Sequence, residues 1–329
     1  MRRPRVYQFL LVAVVLFVPA VPAAAQIAVP LPPTLKNPPT GFDSNASGAT
    51  IKKGTLKTYY YVSSVLSWGP IRIGGIVAPV SEVVWRPVNV YTPHDYNTSN
   101  QSYPVLYLLH GRMGTYEDWK KSGDAQAILD NLVDQKKMVP AIVVMPENYC
   151  SLQSDDSTET PSATINAGYE LFRQELIHDL VPWVDANFAT IPALLAADYP
   201  TMPFLGAGYR ALAGLSMGAE QALNFGWKHQ DTFGFIGAFS PGSSLVGGSD
   251  ELIPIGSVPL ESTSERIWVT CGNMDLVIFG STVNHLPVYD SLETFEPIHK
   301  ISTFNTLYGT HEWSVWKASL YYYAKTFTW

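Results

Sequence analysis

A serine becomes a nucleophile when a base can take its proton and a third group orients that base. The stretch Arg210-Ala211-Leu212-Ala213-Gly214-Leu215-Ser216-Met217-Gly218-Ala219 offers such a serine inside Gly-x-Ser-x-Gly. An apolar run leads into it, and a helix-compatible segment, Ala219 to Trp227, leads out. Strand, tight turn and helix in that order are what a nucleophile elbow needs. Gly214 and Gly218 leave room for Ser216 in a strained backbone conformation. The opening helix aims its free N–H groups and positive dipole end at the same spot. Gly and Ser also build ordinary turns; the preceding strand pattern favours the catalytic reading.

In an α/β-hydrolase arrangement the partners follow in the order Ser, Asp or Glu, His, each just past a strand. The chain has seven histidines. His94 and His110 precede the serine, His178 and His229 fall in helical segments, and His285 and His299 end no strand. His311, on the Gly-containing loop Tyr308-Gly309-Thr310-His311 after the last strand, is the candidate base. Asp275, beyond the strand Ile267 to Thr270, is the candidate acid, with Asp250, Glu251 and Asp290 as rivals. Two preorganised donors must meet the oxyanion. One is the backbone N–H of Met217; the N–H of Arg112, in the loop His110-Gly111-Arg112-Met113-Gly114, is chosen as the other.

Such side chains, distant in sequence, can meet at one edge of a parallel sheet. Strand character runs through Thr55 to Ser67, Val83 to Tyr91, Tyr103 to Leu109, Ala141 to Met145, the elbow strand, Phe235 to Phe239, Ile267 to Thr270 and Lys300 to Leu307. Helical spacing covers Ala125 to Lys137 and Tyr169 to Asn187, then Val283 to Thr294 with a break at Pro287, and a closing segment with Trp313 and Trp316. Gly69 to Val80 reads as a loop or irregular hairpin, and the Pro/Ala/Gly-rich Ala189 to Gly208 and Ser240 to Ser264 as loops. Strand and helix alternate, which predicts an α/β class: a mainly parallel sheet with helices on both faces in a single domain.

Of 329 residues, 47% are hydrophobic and 15% charged, which permits a large core and argues against global disorder. A net charge of -7, without a basic run beyond the extreme N-terminus, argues against a nucleic-acid partner. Arg2, Arg3 and Arg5, the apolar run Phe9 to Val18 and Ala23-Ala24-Ala25 read as a secretory signal cleaved after Ala25, hence a secreted or periplasmic protein. The division expected is residues 1–25 as signal, 26–54 as a Pro-rich lead-in and 55–329 as the catalytic domain, with no stable membrane span after cleavage. Cys150 and Cys271 follow strands expected to lie several positions apart, too far for a bridge, with a bridge through the loop at Cys150 as the alternative. No metal or other cofactor is expected, because His, Asp and Cys show no ligand spacing. Trp119, Trp313 and Trp316 are the candidates for stacking on a phenyl or sugar ring, although core packing suits at least two of them.

Tyr103-Pro104-Val105-Leu106-Tyr107-Leu108-Leu109-His110-Gly111 with Trp119, Gly168-Tyr169-Glu170, Gly214-Leu215-Ser216-Met217-Gly218, Cys271-Gly272-Asn273-Met274-Asp275 and Gly309-Thr310-His311-Glu312-Trp313 with Trp316 occur in that order. Together they resemble the esterase-D-type α/β-hydrolases, and most of all the feruloyl esterases of carbohydrate esterase family 1. The resemblance implies the α/β-hydrolase fold, Ser216, Asp275 and His311 as the triad, Met217 and Arg112 as oxyanion donors, and a free Cys271. It implies a serine esterase acting on hydroxycinnamoyl esters of plant cell-wall xylan, its partner being an ester-substituted polysaccharide or small aromatic ester. Acetyl-xylan or other aromatic (poly)ester hydrolysis, acyl transfer, and a catalytically silent binding protein are the alternatives. Ala219 and Thr310 stand where the resemblance leads one to expect glycine.

Overall fold

Runs such as Val105–Leu109 carry no polar alternation, so the strands they form must be covered on both faces. The computed structural model describes residues 34–44, 51–67, 71–73, 76–78, 83–160, 162–198, 203–241, 267–276 and 305–326. Along the chain these give β1 (Thr55–Ser63), α1 (Ser64–Ser67), β2 (Ile71–Ile73), β3 (Ile76–Ala78), β4 (Val84–Thr92), β5 (Val105–Leu109), α2 (Asp118–Lys121), α3 (Ala125–Asp134) and β6 (Ile142–Pro146). Then come α4 (Ser162–Glu175), α5 (Val181–Asn187), α6 (Ile191–Asp198), β7 (Arg210–Leu215), α7 (Met217–Lys228), β8 (Phe235–Phe239), β9 (Ile267–Gly272), β10 (Asn305–Leu307) and α8 (Trp313–Ala324). A π-helical turn, Leu176–Leu180, joins α4 to α5.

Among the described residues eight strands form one sheet in the order β1-β4-β6-β5-β7-β8-β9-β10. From β6 to β10 every pairing is parallel; β4 joins β6, and β1 joins β4, antiparallel. This is the mainly parallel α/β arrangement that the alternation of elements predicts. The pleat divides β5 between two cores. Val105, Tyr107 and Leu109 face the core beneath α4, α5 and α7, with Phe172, Leu180 and Phe225. Leu106 and Leu108 face the core beneath α3 and α8, with Leu129, Leu132 and Leu320.

Several details differ from the sequence reading. The first strand stops at Ser63, whose Oγ accepts the Leu66 N–H at 3.1 Å and starts the turn α1. The long helix begins at Ser162, earlier than Tyr169, because Ile165 and Tyr169 pack against Tyr149 and so add nothing to the sheet-facing stripe. Within Ala189 to Gly208 lies α6, started by Thr190, whose Oγ1 accepts the Ala193 N–H at 3.1 Å. The Gly69 to Val80 stretch contains the two-stranded pair β2–β3. The lead-in is docked where described: the Leu35 N–H donates to the Thr306 carbonyl at 2.8 Å, and Phe42 meets Tyr321 edge-on.

Cys150 and Cys271 are buried, and neither is in a disulfide. Cys150 follows β6 and Cys271 is the next-to-last residue of β9, with β5, β7 and β8 between those strands. Among the described residues no helix is long and apolar enough to cross a membrane. The proposed signal segment, the loop beyond Pro241 up to residue 266, and the Val283 to Thr294 helix lie outside the described residues.

Candidate active site

The elbow owes its shape to what surrounds it. Ser216 has φ 52° and ψ −117°, a conformation costly for a non-glycine residue by about 1–3 kcal/mol. Its own N–H donates to the Phe239 carbonyl at 2.9 Å, so the end of β8 holds the turn. A Cβ at Gly214 would sit 2.4 Å from the Gly218 carbonyl oxygen, and one at Gly218 would sit 2.3 Å from the His110 carbonyl oxygen. Both positions therefore need glycine for close approach. Ala219 is buried in the core without strain at the start of α7.

At the far side of the sheet edge, the loops after β9 and β10 are laced together. The Asn273 N–H donates to the Leu307 carbonyl at 2.8 Å and the Met274 N–H to the Gly309 carbonyl at 3.0 Å. Gly272 permits this approach, since a Cβ there would lie 2.5 Å from the Gly309 oxygen. The lacing brings Asp275 and His311 together with Ser216. The His311 Nδ1–H donates to Asp275 Oδ2 at 2.8 Å, and the Ser216 hydroxyl donates to His311 Nε2 at 3.0 Å. The carboxylate acceptor fixes the tautomer, leaving Nε2 unprotonated toward the serine. Asp275 is fully buried, while the His311 side chain keeps 22% of its exposure, as a residue that must meet solvent and substrate requires. The Cys271 thiol lies 3.8 Å from Asp275 Oδ2.

Facing the elbow is the turn Gly111–Gly114, closed by the Gly114 N–H donating to the Gly111 carbonyl at 3.2 Å. A Cβ at Gly111 would lie 3.4 Å from the Ser216 Cβ, so this loop sits directly against the serine. Met217, the first residue of α7, has no acceptor within its own helix for its N–H. Arg112 is exposed at the turn. Beneath the turn, Asn148 grips His110 twice: the His110 N–H donates to Asn148 Oδ1 and the Asn148 Nδ2 donates to the His110 carbonyl, both at 3.0 Å. Asn148 Nδ2 also donates to Gln221 Oε1 on α7 at 2.6 Å. Sequence reasoning passed over Asn148 and Gln221; the only signal was a polar Glu147-Asn148 directly after a buried strand.

The candidate aromatics separate by burial. Trp119 is 1% exposed; its indole N–H donates to the Leu109 carbonyl at 2.9 Å, and its ring meets Phe239 and Trp313 edge-on. Trp316 is also buried, its ring 5.0 Å from the His311 imidazole and perpendicular to it. Both rings are taken up by core packing and offer no free face for stacking. Trp119 braces the end of β5, and Trp316 walls the imidazole. Trp313 is half-buried between them.

A strained serine bonded to an imidazole that is bonded to a buried carboxylate, above a mainly parallel sheet, is the site of an α/β-hydrolase. Residues 85–326 match the family described as "Putative esterase", and the chain belongs to this esterase family. It is 31% identical over 227 residues to an esterase of Mycobacterium tuberculosis, covering 68% of this chain and 42% of that one. It is 33% identical over 164 residues to an endo-1,4-beta-xylanase/feruloyl esterase of Xylanibacter ruminicola, covering 49% of this chain and 20% of that protein. The chain thus spans less than half of the curated relatives it matches. Among solved structures, a CE1 ferulic acid esterase from Anaeromyces mucronatus superposes with a TM-score of 0.65 at 22% identity, over 90% of this chain and 97% of that one. The same enzyme in complex with ferulic acid gives 0.64. These likenesses show the shared fold.

Proposed function

We propose that this chain is an exported esterase that cleaves hydroxycinnamoyl esters of plant cell-wall polysaccharide through an acyl-Ser216 intermediate. The observation that carries the mechanism is the continuous Ser216–His311–Asp275 hydrogen-bonded chain. His311 takes the hydroxyl proton as Ser216 Oγ attacks the ester carbonyl; Asp275 steadies the imidazolium that forms. His311 then returns the proton to the departing alcohol, and water repeats the cycle on the acyl-enzyme. The Met217 and Arg112 amides hold the developing oxyanion. In the turn, the Met113 and Gly114 N–H groups already have acceptors, and among the described residues the Arg112 N–H has none, which supports its role. The substrate assignment draws support from the named activities of the xylanase/feruloyl esterase relative and of the ferulic acid esterase neighbour. The basic and apolar start of the sequence supports export.

The test is release of acid from methyl ferulate, p-nitrophenyl acetate and acetylated xylan, with Ser216→Ala alongside. The reading expects the highest kcat/KM on methyl ferulate and loss of turnover in the variant. Fastest turnover on acetylated xylan would overturn the hydroxycinnamoyl assignment, and turnover that survives Ser216→Ala would overturn the mechanism.

A further inference from the structure

Asp155 and the Gly168-Tyr169 pair have no part in the proton relay, yet they converge on the turn that carries the Arg112 amide. Met113, the third residue of that turn, has φ 59°, in the left-handed region that costs a side-chain-bearing residue free energy. Its N–H donates to Asp155 Oδ2 at 2.5 Å. The same oxygen accepts the Tyr169 hydroxyl at 2.6 Å. Tyr169 is itself fixed: it is buried, its ring centroid lies 4.9 Å from that of Tyr149, and its carbonyl accepts Gln221 Nε2 at 2.9 Å. Tyr149 in turn lies over Gly168, where a Cβ would come within 2.3 Å of its ring. Met217 packs against this Tyr149–Ile165–Tyr169 cluster. One path of contacts therefore joins the Arg112 turn, through Asp155, Tyr169 and Gln221, to α7, the helix that presents the Met217 amide.

We propose that Asp155, backed by Tyr169, is a positioning residue that sets the geometry of the oxyanion hole; the proposal rests on the esterase reading above. A charge-assisted bond to a backbone N–H is about twice as strong as a neutral one, enough to offset the left-handed cost at Met113. Burial, and then the bond to Asp155, push the Tyr169 phenol up, so it remains a donor. Without the bond to Asp155 the turn relaxes, and the Arg112 N–H one peptide away loses its aim. Oxyanion donors act on a charge that exists only in the transition state, so the loss falls on kcat and leaves KM in place.

The experiment measures kcat and KM on p-nitrophenyl acetate for the wild type, Asp155→Ala, Asp155→Asn and Tyr169→Phe. Affinity for an arylboronic acid, which forms a tetrahedral oxyanion adduct with the serine, is measured in parallel. Deleting an oxyanion donor costs about 100- to 1,000-fold, so misaiming one is expected to lower kcat about 10- to 100-fold in Asp155→Ala. KM should stay within about twofold, and boronate affinity should fall in step with kcat. Asparagine keeps an acceptor oxygen but not the charge, so Asp155→Asn is expected to recover part of the rate, between Asp155→Ala and wild type. Equal kcat in Asp155→Ala and wild type, or a loss confined to KM, overturns the proposal. If Asp155→Ala melts at the assay temperature, full kcat in both Asp155→Asn and Tyr169→Phe overturns it as well. A wild type inactive on every ester overturns the esterase reading and this brace with it; an active wild type indifferent to Asp155→Ala overturns the brace alone.

Discussion

Asp275 is fully buried yet need not be an electrostatic burden, because the His311 Nδ1–H donates to it at 2.8 Å. That bond decides which imidazole nitrogen faces Ser216. In Asp275→Asn the side chain keeps its size, but its amide can equally donate to Nδ1, which puts the proton on Nε2 and turns the base away from its task. A change of this kind costs about 10⁴-fold in kcat in a serine triad with the geometry intact. The expected outcome here is a loss of that order on p-nitrophenyl acetate, with the melting temperature little changed. A loss of less than about tenfold would show that orientation of His311 does not depend on Asp275 and that the edge-on Trp316 ring suffices.

At the scale of elements, the site is a junction of strand ends, and its tolerances are set by how closely they approach. The start of α7 presses on the end of β5 at Gly218, where an added Cβ would meet the His110 carbonyl at 2.3 Å and the Leu109 Cβ at 2.9 Å. Those atoms belong to backbone and a strand residue that cannot swing aside. Gly218→Ala should therefore cost about 1–3 kcal/mol in urea denaturation, the usual range for overpacking, and lower kcat by moving the Met217 amide. Much of this junction was legible beforehand, because the chemistry needs glycines at Gly214 and Gly218 and strand ends before Asp275 and His311. Apolar runs such as Phe235–Phe239 were equally plain, since a strand covered on both faces leaves an unbroken signature. What escaped depends on contacts between segments. The helix α6 starts on a Thr190 cap without an amphipathic stripe. Asn148 shows its worth only once His110 and Gln221 are beside it. Which of the three candidate tryptophans pack in the core could not be read beforehand, because a sequence lists ring faces and says nothing of what covers them.

For the whole molecule, the antiparallel flank is tied to the catalytic edge by a buried charge. Glu175 is fully buried at the end of α4. Its Oε1 accepts the Tyr61 hydroxyl at 2.5 Å and the Arg86 Nε–H at 3.0 Å; its Oε2 accepts the Ser63 hydroxyl at 2.5 Å and the Cys150 thiol at 3.1 Å. Arg86 Nη2 then donates to the Glu147 and Tyr149 carbonyls at 2.9 and 2.8 Å, the two residues that flank Asn148. Burial, then the Glu175 charge, push the Cys150 thiol up, so it stays a donor to this carboxylate. Glu175→Ala would leave Arg86 charged, buried and without its carboxylate, a situation that typically costs about 3–5 kcal/mol. Glu175→Gln keeps one acceptor oxygen for Tyr61 and Arg86 but turns an NH₂ group toward Ser63 and Cys150, and should lose less. Because Arg86 grips the carbonyls around Asn148, and Asn148 grips His110, the folded fraction of Glu175→Ala should also turn over more slowly than wild type. Chemical denaturation combined with active-site titration separates the two effects. A Glu175→Ala protein within about 1 kcal/mol of wild type would mean that water enters and solvates Arg86, and that the flank stabilises the site far less than its bonding suggests.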